Sequence, residues 1–88
     1  MTSCKVHDLK IWVEHFFPLV FQKKTCEVRI NDRDYKVGDI LHLMCWDKRA
    51  NEFCKPLWQT HRKITHIDQV PDSPYVCLSL GWDGDCVK

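Results

Sequence analysis

The segment of residues 25–30 constrains the fold of this chain more than any other stretch. It reads Thr-Cys-Glu-Val-Arg-Ile, so polar and apolar residues alternate with a period of two. Such alternation is typical of a β-strand with one buried face. The apolar members are predicted to face the core: Cys26, Val28 and Ile30. The polar members share the opposite face: Thr25, Glu27 and Arg29.

The segments around this strand predict a strand, a helix and then further strands. A strand is expected over residues 6–11, with His7, Leu9 and Ile11 on one face, and a helix over residues 12–22 that contains the awkward Pro18. Later strands are predicted over residues 40–46, within 57–70 and over 75–80. Because strands and helices do not alternate, a Rossmann-type parallel sheet is excluded. The order favours an α+β fold, a small mixed β-barrel with one or two short helices.

Length and composition restrict both organisation and partners. The 88 residues form one domain, residues 1–88, and the hydrophobic fraction of 44% excludes a disordered chain. The formal net charge is +1, whereas a protein held to RNA mainly through phosphates is usually more basic. A nucleic-acid site on this chain must therefore be a local cluster of residues.

The cellular compartment is predicted from the N-terminus and the cysteines. Residues 1–10 carry charges and no apolar run, which argues against a signal peptide, and no segment is apolar enough to span a membrane. We therefore expect a cytoplasmic protein without a membrane partner, whose six cysteines are reduced thiols. No Cys or His spacing suggests zinc, so neither a metal nor a cofactor is predicted.

Residues 22–29 read Gln-Lys-Lys-Thr-Cys-Glu-Val-Arg and resemble the G-x-K-x-x-E-x-R signature of the ASCH family. Two further blocks, residues 7–12 and 31–41, resemble an uncharacterised branch of small bacterial and phage ASCH-like proteins. The resemblance implies a PUA-like barrel, in which the signature lies between the first helix and the next strand. It also implies a binding cleft beside these elements, with RNA or a modified nucleotide as the ligand.

One residue departs from the signature, because Gln22 stands where the family has glycine. Glycine at the end of a helix adopts a left-handed conformation without strain. We therefore expect Gln22 either to be strained or to end the helix in another way.

The matched residues suggest how a nucleotide is bound. Lysine and arginine can hold a phosphate, and a glutamate can accept a hydrogen bond from an exocyclic amine of a base. The ligand-binding residues are predicted to be Lys24, Glu27, Arg29, His7, Lys10, Trp12 and Arg33. Five of these residues have a plainer interpretation: Glu27 and Arg29 as a surface ion pair, Trp12 as a core residue, His7 as a structural hydrogen-bonder, and Arg33 as part of a turn.

Two other functions stay open. Some small ASCH-fold proteins are amidohydrolases that act on an acylated cytidine, and here Lys24 and Glu27 would form the acid–base pair. The hydroxyl nucleophile of that arrangement is missing, because Glu27 occupies its position. The second alternative is a protein-interaction module of a phage or bacterial system, so a protein partner is possible. Non-catalytic binding of RNA or a nucleotide is the preferred prediction.

Overall fold

A computed structural model describes residues 5–81 of the chain as an α+β unit, a six-stranded mixed sheet with one short helix. The elements follow in the order β1 (Val6–Trp12), α1 (Val13–Val20), β2 (Cys26–Ile30), β3 (Ile40–Asp47), β4 (Glu52–Phe53), β5 (Gln59–Gln69) and β6 (Tyr75–Gly81). The predicted strand–helix–strands order is confirmed for this part of the chain.

The sheet is open, and its two edges are formed by β1 and β2. The strand order is β1-β3-β5-β6-β2, with the short β4 paired to β3. β1 runs parallel to β3, whereas the other pairs are antiparallel. Among residues 5–81 no backbone ladder joins β1 to β2, so the sheet does not close into a ring.

The core lies on one face of this sheet and is covered by the helix. His7, Leu9 and Ile11 of β1 are buried, as their alternation predicts. The neighbouring strand β3 adds Leu41, Leu43 and Cys45, and the helix adds Phe16 and Leu19. Fully burying a large apolar side chain contributes about 1.5–3 kcal/mol. The inner faces of β1 and β3 therefore anchor the strand that forms one edge of the sheet.

The helix is shorter than its sequence pattern predicts. Trp12 is the last residue of β1, where it pairs with Trp46 of β3, and the helix begins only at Val13. The side chain of Trp12 is 47% exposed, so the interpretation of Trp12 as a core residue is wrong. The reason is that parallel pairing with β3 holds Trp12 in extended backbone, a tertiary constraint that helical spacing alone does not reveal.

The alternation of β2 was predicted correctly, but its buried face was not. Val28 and Ile30 are 55% and 49% exposed, whereas Glu27 is 6% exposed. Residues directly opposite on paired strands share a face, and Glu27 lies opposite the buried Leu78. The register with β6 therefore turns the polar face of β2 towards the interior.

Two further observations concern the thiols and the membrane. Cys26, Cys45, Cys54 and Cys77 are free thiols, and Cys4 and Cys86 lie outside the described residues. Within residues 5–81, no helix has the length and apolar character needed to cross a membrane.

Candidate ligand-binding cleft

A left-handed turn at Gln22 connects the end of the helix to β2. The φ angle of Gln22 is +61°, the conformation that glycine adopts without strain. The amide of Gln22 donates to the carbonyl of Leu19 at 3.1 Å, and that of Lys23 to the carbonyl of Pro18 at 2.8 Å. These two bonds form a Schellman motif. Of the two outcomes expected for Gln22, the structure therefore shows the strained cap.

This cap also positions Lys24 at the entry to β2. The amide of Lys24 donates to the same Pro18 carbonyl at 3.0 Å. Proline inside a helix gives up one hydrogen bond, but its carbonyl remains available as an acceptor. Pro18 thus weakens the helix, but its carbonyl fixes the backbone of Lys24.

Glu27 forms the centre of a cluster of three charges on the inner face of β2. Lys24 Nζ lies 3.2 Å from Glu27 Oε1, and Arg29 Nε donates to Glu27 Oε2 at 3.0 Å. The Glu27 side chain is 8% exposed, whereas those of Lys24 and Arg29 are 27% and 22% exposed. A carboxylate can be buried in this way because each of its oxygens faces a cation. These three residues are called the Glu27 cluster below.

Arg29 also links the two edges of the sheet. Its Nη2 donates to the backbone carbonyl of Lys10 in β1 at 2.7 Å. The same guanidinium therefore contacts Glu27 on β2 and the main chain of β1. A planar guanidinium with five donors suits such a double contact, which a lysine could not reproduce.

A cleft of about 520 Å³ opens beside this link, between β1 and β2. Its volume lies within the roughly 300–1,000 Å³ that small-molecule sites occupy. Its lining residues are Leu9, Lys10, Trp12, His15, Glu27, Val28, Arg29, Ile30, Asp32, Arg33, Tyr35 and Tyr75. The cleft therefore combines apolar walls with a few charged groups, the usual composition of a ligand site.

Five of the seven predicted ligand-binding residues line this cleft: Lys10, Trp12, Glu27, Arg29 and Arg33. Lys10 contributes mainly its backbone, because its Nζ lies 4.0 Å from the centre of the Trp46 ring on the outer face. Trp12 stacks with His15, with ring centroids 6.2 Å apart. Arg33 is exposed and forms no ion pair with any carboxylate of residues 5–81.

The other two predicted residues lie outside the lining. His7 is buried at 3% exposure, and its Nε2 lies 2.9 Å from Asp39 Oδ2. Lys24 instead lines a second cavity of about 190 Å³ that also contains Thr25 and Arg62. Lys24 therefore acts on the cleft only by its contact with Glu27, and His7 is buried beneath the residues that line the cleft.

Tyr35, which was not among the predicted ligand-binding residues, also lines the cleft. Tyr35 is 7% exposed and lines the cleft beside Glu27 and Arg29. Burial raises the pKa of Tyr35, although the nearby Arg29 charge opposes the effect. The phenol is therefore protonated at neutral pH. An aromatic residue directly after the Asn-Asp-Arg-Asp turn, inside a matched block, was the signal that could have identified it.

The described residues do not suggest a bound metal. Within residues 5–81 no group of three or more histidine, cysteine, aspartate and glutamate side chains is arranged to hold a metal ion. The polar side chains that line the cleft include two carboxylates, two guanidinium groups, two phenols and an imidazole, which suit hydrogen bonding to an organic ligand.

Comparisons with known proteins identify a family without assigning a function. No protein with a curated description matches the chain. A family model described as a domain of unknown function, DUF3850, matches residues 6–80. This match covers all of β1 and nearly all of β6, together with every element between them. The chain therefore belongs to the DUF3850 family.

Proposed function

We propose that this chain binds RNA or a modified nucleotide in the cleft between β1 and β2. The observation that carries the proposal is the Glu27 cluster, whose buried carboxylate and guanidinium line a cleft of about 520 Å³. A few convergent charged groups in a cleft with apolar walls are typical of binding sites.

Each kind of cleft residue suits one part of a nucleotide. The guanidinium of Arg33, which forms no ion pair with residues 5–81, is available to a phosphate, and each Glu27 oxygen keeps a lone pair for an exocyclic amine. Trp12 and His15 both line the cleft and stack on each other, and Lys48 Nζ lies 4.1 Å from the centre of the Trp12 ring, so a base would stack on His15 or displace Lys48 from Trp12.

The low net charge favours a short ligand over a long polymer. With a formal charge of +1, the chain lacks the broad basic surface that follows an extended phosphate backbone. We therefore expect the affinity to come from one or two nucleotides seated in the cleft, with a modest dependence on salt.

The resemblance to the ASCH family supports the same proposal. Lys24, Glu27 and Arg29 match its signature and form one cluster. We infer that the open sheet is a variant of the PUA-like barrel in which the Arg29 side chain bridges the seam between β1 and β2. A cytoplasmic location remains part of this proposal.

The proposal is tested by titrating the protein with a fluorescent single-stranded RNA and with free cytidine nucleotides at low salt. Arg29→Ala should weaken binding about 10- to 100-fold, since a charge-assisted hydrogen bond contributes about 1.5–3 kcal/mol. Arg33→Ala should also weaken binding, and because Arg33 is exposed and forms no ion pair within residues 5–81, it should leave the fold intact. Lys55→Ala is the control, because this exposed lysine pairs with Glu52 on the β4 hairpin.

The outcomes separate the three candidate functions. Saturable binding that both arginine variants weaken and Lys55→Ala does not supports the cleft. Equal binding by all variants contradicts it, and absence of binding favours a protein partner. Release of the acyl group from an acylated cytidine, abolished by Glu27→Gln, would instead support the amidohydrolase, whose specific basis is the contact between Lys24 and Glu27.

A further inference from the structure

Tyr35 presents its hydroxyl to the cleft from an otherwise buried ring. The residue is 7% exposed, and its hydroxyl forms no hydrogen bond with any of residues 5–81. In the same range, every buried side-chain nitrogen or oxygen has a partner. The hydroxyl oxygen of Tyr35 is therefore accessible, and the cleft is the space that this residue lines.

A buried chain of contacts behind Tyr35 holds its ring in place. The rings of Tyr35 and His7 lie with centroids 4.8 Å apart at an angle of 59°. His7 Nε2 lies 2.9 Å from Asp39 Oδ2, which also accepts a hydrogen bond from the Lys36 amide at 3.1 Å. Asp39 Oδ1 accepts from the Lys5 amide at 3.4 Å. His7 is thus fixed on its far side by a carboxylate that is itself anchored to the main chain.

Burial keeps the Tyr35 phenol in the form that can donate, while the neighbouring charges act on its pKa in opposite directions. Arg29, Arg33, Asp32 and Glu27 all act on the phenol electrostatically. Burial is the largest influence and raises the pKa of Tyr35, so the group keeps its proton at neutral pH. A protonated phenol without a protein partner can donate its hydrogen bond to a ligand.

We propose that Tyr35 is the base-reading residue of the cleft, donating a hydrogen bond to a carbonyl oxygen or ring nitrogen of a nucleobase. His7 and Asp39 are its positioning residues. This inference rests on the proposed function and deepens it. Glu27 accepts and Tyr35 donates, so the pair matches a base edge that carries a donor beside an acceptor, as cytosine does with its amino group and N3.

The first test measures the affinity for cytidine 5′-monophosphate by calorimetric titration. Tyr35→Phe keeps the ring and its contact with His7 but removes the hydroxyl, and it should weaken binding about 3- to 10-fold, the contribution of one neutral hydrogen bond. Thr65→Val is the matched control, because it also removes one hydroxyl, that of an exposed residue of β5 outside the cleft lining, and it should bind within about twofold of the unmodified protein.

The second test asks whether His7 acts through Tyr35. His7→Gln keeps a donor for Asp39 but removes the ring that contacts Tyr35. His7→Gln as a single substitution should weaken binding. Added to Tyr35→Phe it should have little further effect, because the hydroxyl that His7 positions is already absent. Equal losses in both backgrounds would indicate a general structural role for His7.

The results distinguish this inference from the proposed function. If Tyr35→Phe binds like the unmodified protein while Arg29→Ala binds weakly, the role of Tyr35 is overturned and the cleft stands. If Thr65→Val loses as much as Tyr35→Phe, the claim that Tyr35 reads the base is also overturned. Absence of binding by the unmodified protein overturns both proposals.

Discussion

The two faces of the sheet each carry a cluster of charged side chains, and the clusters differ in burial rather than in distance. On the inner face, Glu27 lies 3.0 Å from Arg29. On the outer face, Asp8 of β1 lies beside the histidine rings of β3 and β5. Its Oδ1 is 2.9 Å from Nδ1 of His42 in β3. Glu27 is 8% exposed and Asp8 is 69% exposed. Similar contact distances therefore occur in very different environments.

This difference teaches that burial, not distance, decides what an ion pair contributes. Water screens the Asp8 carboxylate and solvates it when its partner is lost, so an exposed pair contributes about 0.2–1 kcal/mol. The Glu27 carboxylate has little access to water, and removing one member of a buried pair leaves the other uncompensated. We therefore expect mutations in the two clusters to differ in their effect on stability.

The largest effect is predicted for Glu27→Ala. It should lower the free energy of unfolding by about 2–3 kcal/mol, less than the roughly 3–5 kcal/mol of a fully buried pair because Lys24 and Arg29 retain some access to water. Urea denaturation followed by tryptophan fluorescence measures this change.

Asp8→Asn on the outer face is the matched control for that measurement. It should lower the free energy of unfolding by less than about 1 kcal/mol. Equal losses of unfolding free energy in Glu27→Ala and Asp8→Asn would contradict this comparison, since they would mean that burial does not determine the contribution of these pairs.

An intermediate effect of opposite sign is predicted for Gln22→Gly. Glycine removes the strain of φ +61° in the cap that leads to the Glu27 cluster, and the gain exceeds the entropy that glycine adds to the unfolded chain. Stability should rise by about 0.5–1 kcal/mol, or roughly 2–6 °C in Tm for a domain of this size.

Asp72→Gly is the control for this backbone effect. Asp72 has a similar φ of +58° in the turn before β6. Aspartate tolerates the left-handed region better than glutamine, so Asp72→Gly should stabilise the protein less than Gln22→Gly. A loss of stability in Gln22→Gly would show that the glutamine side chain contributes to the cap.

The smallest effect is a pH dependence on the outer face. Burial lowers the pKa of His42, but hydrogen bonds to Asp8 and Gln59 and the Asp8 charge outweigh it, so the pKa lies above its ordinary 6.5. A raised pKa in the folded state contributes stability that is fully present below pH 6.5 and is lost as the pH rises through the folded pKa.

Thermal unfolding between about pH 5.5 and about pH 8.5 measures this contribution. The unmodified protein should lose slightly more stability over this range than Asp8→Asn does, because that variant removes the charged partner of His42. Parallel curves for the two proteins would contradict the assignment of the raised pKa to Asp8.

Local patterns predicted much of the fold and part of the site. The inward face of β1 and the strands β3 and β6 followed from apolar patterns and turn residues, because these are properties of neighbouring residues, whereas β5 was predicted only to lie within residues 57–70. The strained cap at Gln22 was one of two outcomes expected from the missing glycine. That Glu27 and Arg29 lie on one face of a strand also followed from their spacing, and their contact agrees with it.

The sequence by itself determined which residues alternate, which share a face and where a backbone position needs glycine. The tertiary structure alone decided which face of β2 is buried, because that depends on its register with β6, some fifty residues later in the chain. It also placed Tyr35 at the cleft and His7 behind it, since their contact joins two segments far apart in sequence. Periodicity assigns residues to faces, and only long-range pairing assigns a face to the interior.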